Sequence, residues 1–278
     1  MQSALAIENS HQDVWRARLN LGFVATAAKT VLKSRSHEGP LAVQRPFYPE
    51  GDVCHVYILH PPGGIVGGDE IAINVTADTD SHALITTPAA GKFYRSDGRV
   101  AKQILSLKIA SGAIVEWLPQ ETIVFEEAQL IASNHIELAE GARFLAWEVL
   151  AFGRPAAGEG FAAGLAQLQW RISRSGKTLL NEKLIVDAEA FRAKWGLSGH
   201  SCCGSLLAYP AGKPELEMVR QIIGEQNARS VTLIDDLLIC RGMDQRADRM
   251  SAFFQQVWQA LREPLLQRKA VMPRIWAT

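Results

Sequence analysis

The chain has 278 residues, of which 47% are hydrophobic and 21% charged, proportions typical of a folded protein with a substantial core. Lysine plus arginine and aspartate plus glutamate number 29 each, so the charge gives no case for binding nucleic acid or an anionic membrane. The four cysteines do not form a disulfide framework, and the first residues lack the features of a secretory signal, so a cytoplasmic protein with free thiols is expected.

Alternating apolar and polar residues predict strands through the first two thirds of the chain. Residues 1–13 are polar and are expected to be loose, whereas 14–210 are predicted to form a β-rich body. Its first strand begins at Trp15, and further predicted strands cover 30–33, 41–45, 53–59 and the segment from Ile71.

A glycine loop, defined as residues 60–69, interrupts these strands. It contains two prolines and four glycines, a composition that rules out a helix or a regular central strand. We interpret it as a bend between β layers that ends at Asp69, with the structural glycines Gly63, Gly64, Gly67 and Gly68.

A repeated pattern predicts that these layers are stacked. Residues 107–113 and 136–142 share the pattern apolar-x-apolar-Ala-x-Gly-Ala, and a tryptophan follows each, at Trp117 and Trp147. A weaker relative covers 73–84. Such units at intervals of roughly thirty residues are typical of a β-solenoid. The alternative is that they are independent strand–glycine–strand hairpins, which have similar sequences in any fold.

The composition changes after residue 210. A helix is predicted from Pro214 to Gly224, then short strands at 231–234 and 237–240, and an amphipathic helix over 250–261 that Pro264 stops. The predicted fold is mainly β, with β-helix-like stacked layers and a small C-terminal α/β part, residues 211–278, that contains two helices and packs on the body.

One cluster of soft ligands lies near residue 200. His200 and Cys202 would share a face of an extended segment, and with Cys203 they could bind nickel, zinc or copper. Simple packing of buried cysteines is the alternative.

Catalytic motifs are weak. Residues 175–178 read Ser-Gly-Lys-Thr, but the full phosphate-loop spacing is missing and strands flank them, so a hairpin turn is predicted. A metal-dependent hydrolase would need Asp69, His55 and His60 to gather at the glycine loop.

Several charged or polar residues lie inside apolar, β-patterned text. They could be solvated on an outer face, or they could line an internal polar network or passage, where buried charges must be paired or hydrated. The candidates are Asp69, Thr86, Lys92, Arg95, Glu116, Glu121, Glu148, Arg154 and Glu182.

Seven segments together resemble one family, the urease accessory protein UreD, called UreH in some organisms. They are residues 59–69, 86–96, 116–121, 147–148, 153–156, 181–184 and 272–278. The resemblance covers most of the chain from about residue 15. The sequence departs mildly from the usual family pattern at 81–83 and 204–208. The cysteines near residue 200 match no motif of the family.

The resemblance implies a non-catalytic chaperone with a β-helix-like body. Proteins of this family assemble with UreF, and through it with the GTPase UreG, on urease apoprotein and help to place nickel in its active site. Nickel would be in transit through a polar tunnel and would not be a permanent cofactor. We expect a dimer only within that complex. A scaffold without a nickel passage is the main alternative.

Overall fold

The computed structural model describes residues 15–277, so the expected loose segment at 1–13 lies outside the described residues. The strands are β1 (Arg16–Ala25), β2 (Thr30–Glu38), β3 (Ala42–Val43), β4 (Cys54–Leu59), β5 (Glu70–Ala77), β6 (His82–Thr86), β7 (Gly91–Phe93), β8 (Ala101–Ile109), β9 (Ile114–Trp117), β10 (Thr122–Val124), β11 (Gln129–Leu138), β12 (Arg143–Phe152), β13 (Leu165–Arg174), β14 (Lys177–Asp187), β15 (Cys202–Tyr209), β16 (Arg229–Ile234) and β17 (Leu237–Asp244). The helices are α1 (Ala188–Arg192), α2 (Lys213–Ile223) and α3 (Ala247–Leu266), with 3₁₀ turns at Pro155–Ala157 and Arg274–Ala277.

The strands form two sheets that face each other. The first has the order β14-β13-β11-β8-β5-β1-β2, and the second follows β16-β17-β15-β12-β9-β6-β4-β3. Neighbours from β1 to β13 in the first sheet, and from β4 to β12 in the second, are parallel. The strands beyond them at both ends of each sheet pair antiparallel. The chain therefore winds alternately through both sheets, and the predicted β-helix-like stack is confirmed.

The sequence repeat corresponds directly to this stack. Leu107 of β8 lies in register with Ile136 of β11 and with Val75 of β5. Val115 of β9 lies in register with Phe144 of β12. Equivalent residues of successive units therefore stack, which is the physical reason for the repeated apolar pattern.

A third, short side closes the layers. The bridge between Ile65 and Phe93, the pairing of β7 with β10, and that of β10 with the end of β12 form one column. We call this side, with its loops 60–69, 87–100, 118–128 and 153–164, the corner column. The glycine loop is its first turn and carries the chain from β4 to β5, as predicted.

Two apolar cores follow from the alternation of side chains. One lies between the sheets and includes Phe23, Leu107 and Phe144. The other lies between the second sheet and the helices, and includes Phe254 and Trp258 of α3. The aromatic face of α3 is therefore buried and offers no docking surface.

The predicted end of the last helix is wrong by a small margin. Helix α3 continues through Pro264 to Leu266, and Gln267 follows in the left-handed conformation. A proline near the last turn forfeits one hydrogen bond, and the burial of Leu265 and Leu266 offsets that loss. Among residues 15–277, no helix is long and apolar enough to cross a bilayer.

Candidate functional site

An inter-sheet cavity of about 410 Å³ lies where β12, β15 and β17 of the second sheet face β13 and β14 of the first. Two predicted residues, Glu148 and Glu182, line it, together with Trp170 and Arg241. We therefore take this inter-sheet cavity as the candidate functional site.

Strand register explains why these polar residues meet. Glu148 of β12 pairs with Ser205 of β15, which pairs with Arg241 of β17. Across the sandwich, Trp170 of β13 pairs with Glu182 of β14. All five line the cavity, so one polar row of each sheet faces the other.

The two carboxylates of the cavity differ in their surroundings. Glu182 forms an ion pair with Arg241, in which both side chains are about a third exposed. No described cation pairs with Glu148, and burial raises the pKa of its carboxyl to about 7. Glu148 therefore holds its proton to a higher pH than an exposed glutamate does.

A second polar cluster is closed. We call Glu50, His55, His82, Glu116 and Arg262 the buried carboxylate network. Arg262 donates from Nη1 and Nη2 to Glu50 at 2.7 and 2.8 Å, and from Nε to Glu116 at 3.0 Å. His55 Nε2 lies 2.6 Å from Glu50, and His82 Nε2 lies 2.8 Å from Glu116.

Glu116 is the centre of this network, and its side chain is 0% exposed. Burial alone would raise its pKa, but the hydrogen bond from His82 and the charges of His82 and Arg262 outweigh burial and lower the pKa to about 2. The indole Nε1 of Trp258 also donates to it at 2.7 Å. The network thus joins α3 to the second sheet and leaves Glu116 no capacity for another cation.

Thr86 lies beside the C-terminal turn. Its hydroxyl accepts a hydrogen bond from Trp276 Nε1 at 2.9 Å and donates to the carbonyl of Leu118 at 2.5 Å. Trp276 also packs on Trp147 and Trp258, with ring centroids 5.3 and 5.5 Å away. Thr86 therefore holds the C-terminal turn, residues 274–277, against the second sheet.

The remaining predicted polar residues lie on the corner column, away from the inter-sheet cavity. Asp69 accepts the amide of Val66 at 2.9 Å and closes the glycine loop. Arg95 forms an ion pair with Glu127 at 2.9 Å, and Arg154 forms one with Glu159. The others are Lys92, whose carbonyl accepts the amide of Ile65, and Glu121, whose carbonyl accepts that of Gly91.

Close packing explains two glycines of the loop. A Cβ on Gly64 would lie 1.9 Å from the ring of Tyr94, and one on Gly67 would lie 2.7 Å from the carbonyl oxygen of Arg99. Gly63 and Gly68 have positive φ. The glycine loop is thus packed against the next turn of the corner column.

The predicted metal cluster near residue 200 is corrected by the structure. Cys202 and Cys203 are successive residues of β15, so Cys202 joins the helix-side core and Cys203 the core between the sheets. Burial raises the pKa of both thiols, that of Cys202 to about 12, which disfavours metal-binding thiolates. His200 Nδ1 faces the carbonyl of Leu197 at 2.8 Å.

The hydrolase arrangement is also not formed. His55 belongs to the buried carboxylate network, whereas the ring of His60 packs against Trp15 at 6.0 Å. In the part of the chain that the structure describes, no three His, Cys, Asp or Glu side chains gather closely enough to hold a metal ion.

Sequence reasoning missed Glu50, Arg262 and Arg241. Arg262 is a charged residue of the last helix, yet it is 0% exposed. The only local sign of its burial is that it directly follows Leu261 on the apolar face of that helix. Glu50 lies in a segment whose sequence is typical of a loop, and Arg241 occupies what the sequence suggests is an outward-facing position of a strand. Their partners are distant in sequence, so no local pattern identifies them.

Comparisons with known proteins identify the family of this chain. The family model described as UreD urease accessory protein matches residues 16–277. A urease accessory protein UreD from Citrobacter koseri is 45% identical over 95% of this chain and 92% of its own length. Relatives with the same name from Pseudomonas putida strain W619 and Enterobacter sp. strain 638 are 40% and 41% identical over the full length of both chains. The chain belongs to the UreD family of urease accessory proteins.

Proposed function

We propose that this chain is a non-catalytic nickel-insertion chaperone of the cytoplasm. It would bridge urease apoprotein and UreF, which in turn holds UreG, and it would be dimeric only within that complex. Membership of the UreD family supports a role in urease maturation. The observation that carries the nickel step is the inter-sheet cavity with Glu148 and Glu182.

Nickel is the cargo in this proposal, and the cavity carboxylates pass it on. Glu182 shares its charge with Arg241, so it can offer an oxygen ligand only weakly. Glu148 has a pKa of about 7, so it exchanges a proton for the cation at little free-energy cost near neutral pH. Weak, successive oxygen ligands favour release as much as capture, which transit requires.

The absence of a three-ligand cluster among residues 15–277 fits transit better than storage. A tight site would hold nickel against its final acceptor. One or two carboxylates with water would hold it briefly.

The test is urease activation by Glu148→Gln in cells that co-express urease and its accessory proteins. We expect loss of most urease activity and of nickel in purified urease, with an accessory complex that still elutes intact in gel filtration. Glu225→Gln changes an exposed carboxylate outside the cavity and serves as the matched control.

A pure scaffold is the second candidate, because the carboxylates of Glu50 and Glu116 in the buried carboxylate network are already paired with Arg262 and join α3 to the second sheet. The scaffold is favoured if Glu148→Gln and Glu182→Gln both support wild-type nickel insertion with the complex intact. Loss of insertion with an intact complex rejects it.

A further inference from the structure

Strand β14 is a long, free edge of the first sheet. It pairs with β13 on one side, and no other described strand pairs with its outer side. The outward backbone amides and carbonyls of such a strand remain available to a further strand. At eleven residues, β14 is long for an unprotected edge.

This edge is apolar where it passes the mouth of the inter-sheet cavity. Leu184 is 42% exposed and Ile185 47% exposed, and they lie on opposite faces of the strand. Trp195 is 72% exposed and directly precedes Gly196, which lines the same cavity as Leu184. We call Leu184, Ile185 and Trp195 the β14 edge patch.

The opposite edge of the same sheet is different. The exposed part of β2 reads Lys-Ser-Arg-Ser-His-Glu, a charged and polar text that discourages pairing. The apolar edge of β14 is therefore not a general property of this sheet.

The charged residues beside the β14 edge patch indicate the chemistry of the partner segment. Lys183 and Lys194 are exposed beside the β14 edge patch, and neither forms an ion pair with another described residue. The neighbouring carboxylate of Asp187 accepts the amide of Ala190 as the cap of α1. Between residues 183 and 194 the exposed cations Lys183, Arg192 and Lys194 outnumber the exposed carboxylates Asp187 and Glu189. This stretch therefore has a net positive charge beside the apolar edge, which complements a segment that carries both apolar and acidic side chains.

We infer that β14 docks an extended, apolar and acidic segment of a partner protein, which adds as a strand to the first sheet. Main-chain hydrogen bonds to β14 supply affinity, while Leu184, Ile185 and Trp195 receive alternate side chains. Lys183 and Lys194 pair with its carboxylates. This inference stands on the edge strand, whether or not nickel enters the cavity.

The test uses Ile185→Lys, which places a charge on the patch on the face away from Leu184. The matched control is Ile234→Lys, because Ile234 is 45% exposed on β16, the corresponding edge of the second sheet. Purified UreF and urease apoprotein are the probes in binding measurements, and the complex from co-expression is examined by hydrogen exchange.

We expect Ile185→Lys to weaken binding of one probe by about tenfold or more, whereas Ile234→Lys stays within about twofold of wild type. Lys183→Glu with Lys194→Glu should weaken the same binding, and alternate β14 amides should become protected in the complex. Far-ultraviolet circular dichroism checks that each variant is folded.

Unchanged β14 exchange in the complete complex overturns the inference. So does a homodimer that Ile185→Lys dissociates without any effect on the probes, since a second copy would then be the occupant. Neither result depends on nickel insertion by Glu148→Gln, so the inference and the nickel proposal can fail separately.

Discussion

Replacement of Glu116 by glutamine is the sharpest test of the buried carboxylate network. Glutamine has nearly the same shape, so Glu116→Gln removes a charge without opening a cavity. It leaves Arg262, which is 0% exposed, with Glu50 as its remaining carboxylate partner. It also turns an amide NH₂ group toward at least one of the donors on His82, Trp258 and Arg262 that now point at Glu116.

The expected loss in the free energy of unfolding is about 3–5 kcal/mol, the range for removing one partner of a buried ion pair. Glu50 still neutralises part of the charge, which favours the lower end. Guanidinium unfolding followed by tryptophan fluorescence measures the loss, since Trp258 contacts the network directly. Glu137→Gln removes the partner of Lys108, which is 3.7 Å away and 61% exposed, and should cost less than about 1 kcal/mol.

The pH dependence gives an independent check. The folded-state pKa of Glu116, about 2, lies below its ordinary value of 4.5, so the folded chain binds fewer protons there. The stabilisation is therefore complete above pH 4.5 and is lost as pH falls toward 2. The difference between wild type and Glu116→Gln should shrink over that range. A loss below about 1 kcal/mol at pH 7, or a pH-independent difference, would refute the reasoning.

Three further outcomes are expected. Gly64→Ala should destabilise the fold by about 1–3 kcal/mol, because its Cβ would meet the ring of Tyr94, whereas Gly160→Ala, with no atom within 4 Å, should cost less in the same thermal unfolding assay. Trp276→Ala should cost about 3 kcal/mol and expose the chain after residue 266 to limited proteolysis, and an unchanged cleavage pattern would contradict the anchor. Nickel binding measured by calorimetry should rise from pH 6 to pH 8 in the wild type, since Glu148 ionises through about 7, and Glu148→Gln should remove this rise.

The layered fold could be predicted because its repeat is local. Leu107 and Ile136 occupy the same place in two successive turns, so the sequence shows the same pattern twice. The glycine loop could be interpreted for a similar reason, because prolines and glycines restrict the backbone wherever they stand. The contact of Gly64 with Tyr94 could not be predicted, since it joins two turns of the corner column.

The candidate site was predicted only in part. Glu148 and Glu182 stood out as charges in apolar text, and the structure places both at the inter-sheet cavity. Asp69 stood out equally, yet its carboxylate closes a surface turn by accepting the amide of Val66. A charge in an apolar segment indicates an unusual environment, but strand register and distant partners such as Arg241 decide which environment it is.

Glu116 and Glu148 lie on the same sheet, and their surroundings shift their pKa values in opposite directions. Glu116 pairs in register with Leu145, three residues before Glu148, so the two carboxylates point to opposite faces of the same sheet. On the helix face, Glu116 is saturated by donors and its pKa falls to about 2; on the cavity face, Glu148 meets no described cation and its pKa rises to about 7. A carboxylate that is already neutralised gains nothing from another cation. In the proposed nickel passage Glu148, and not Glu116, would be the carboxylate that exchanges a proton for the metal ion.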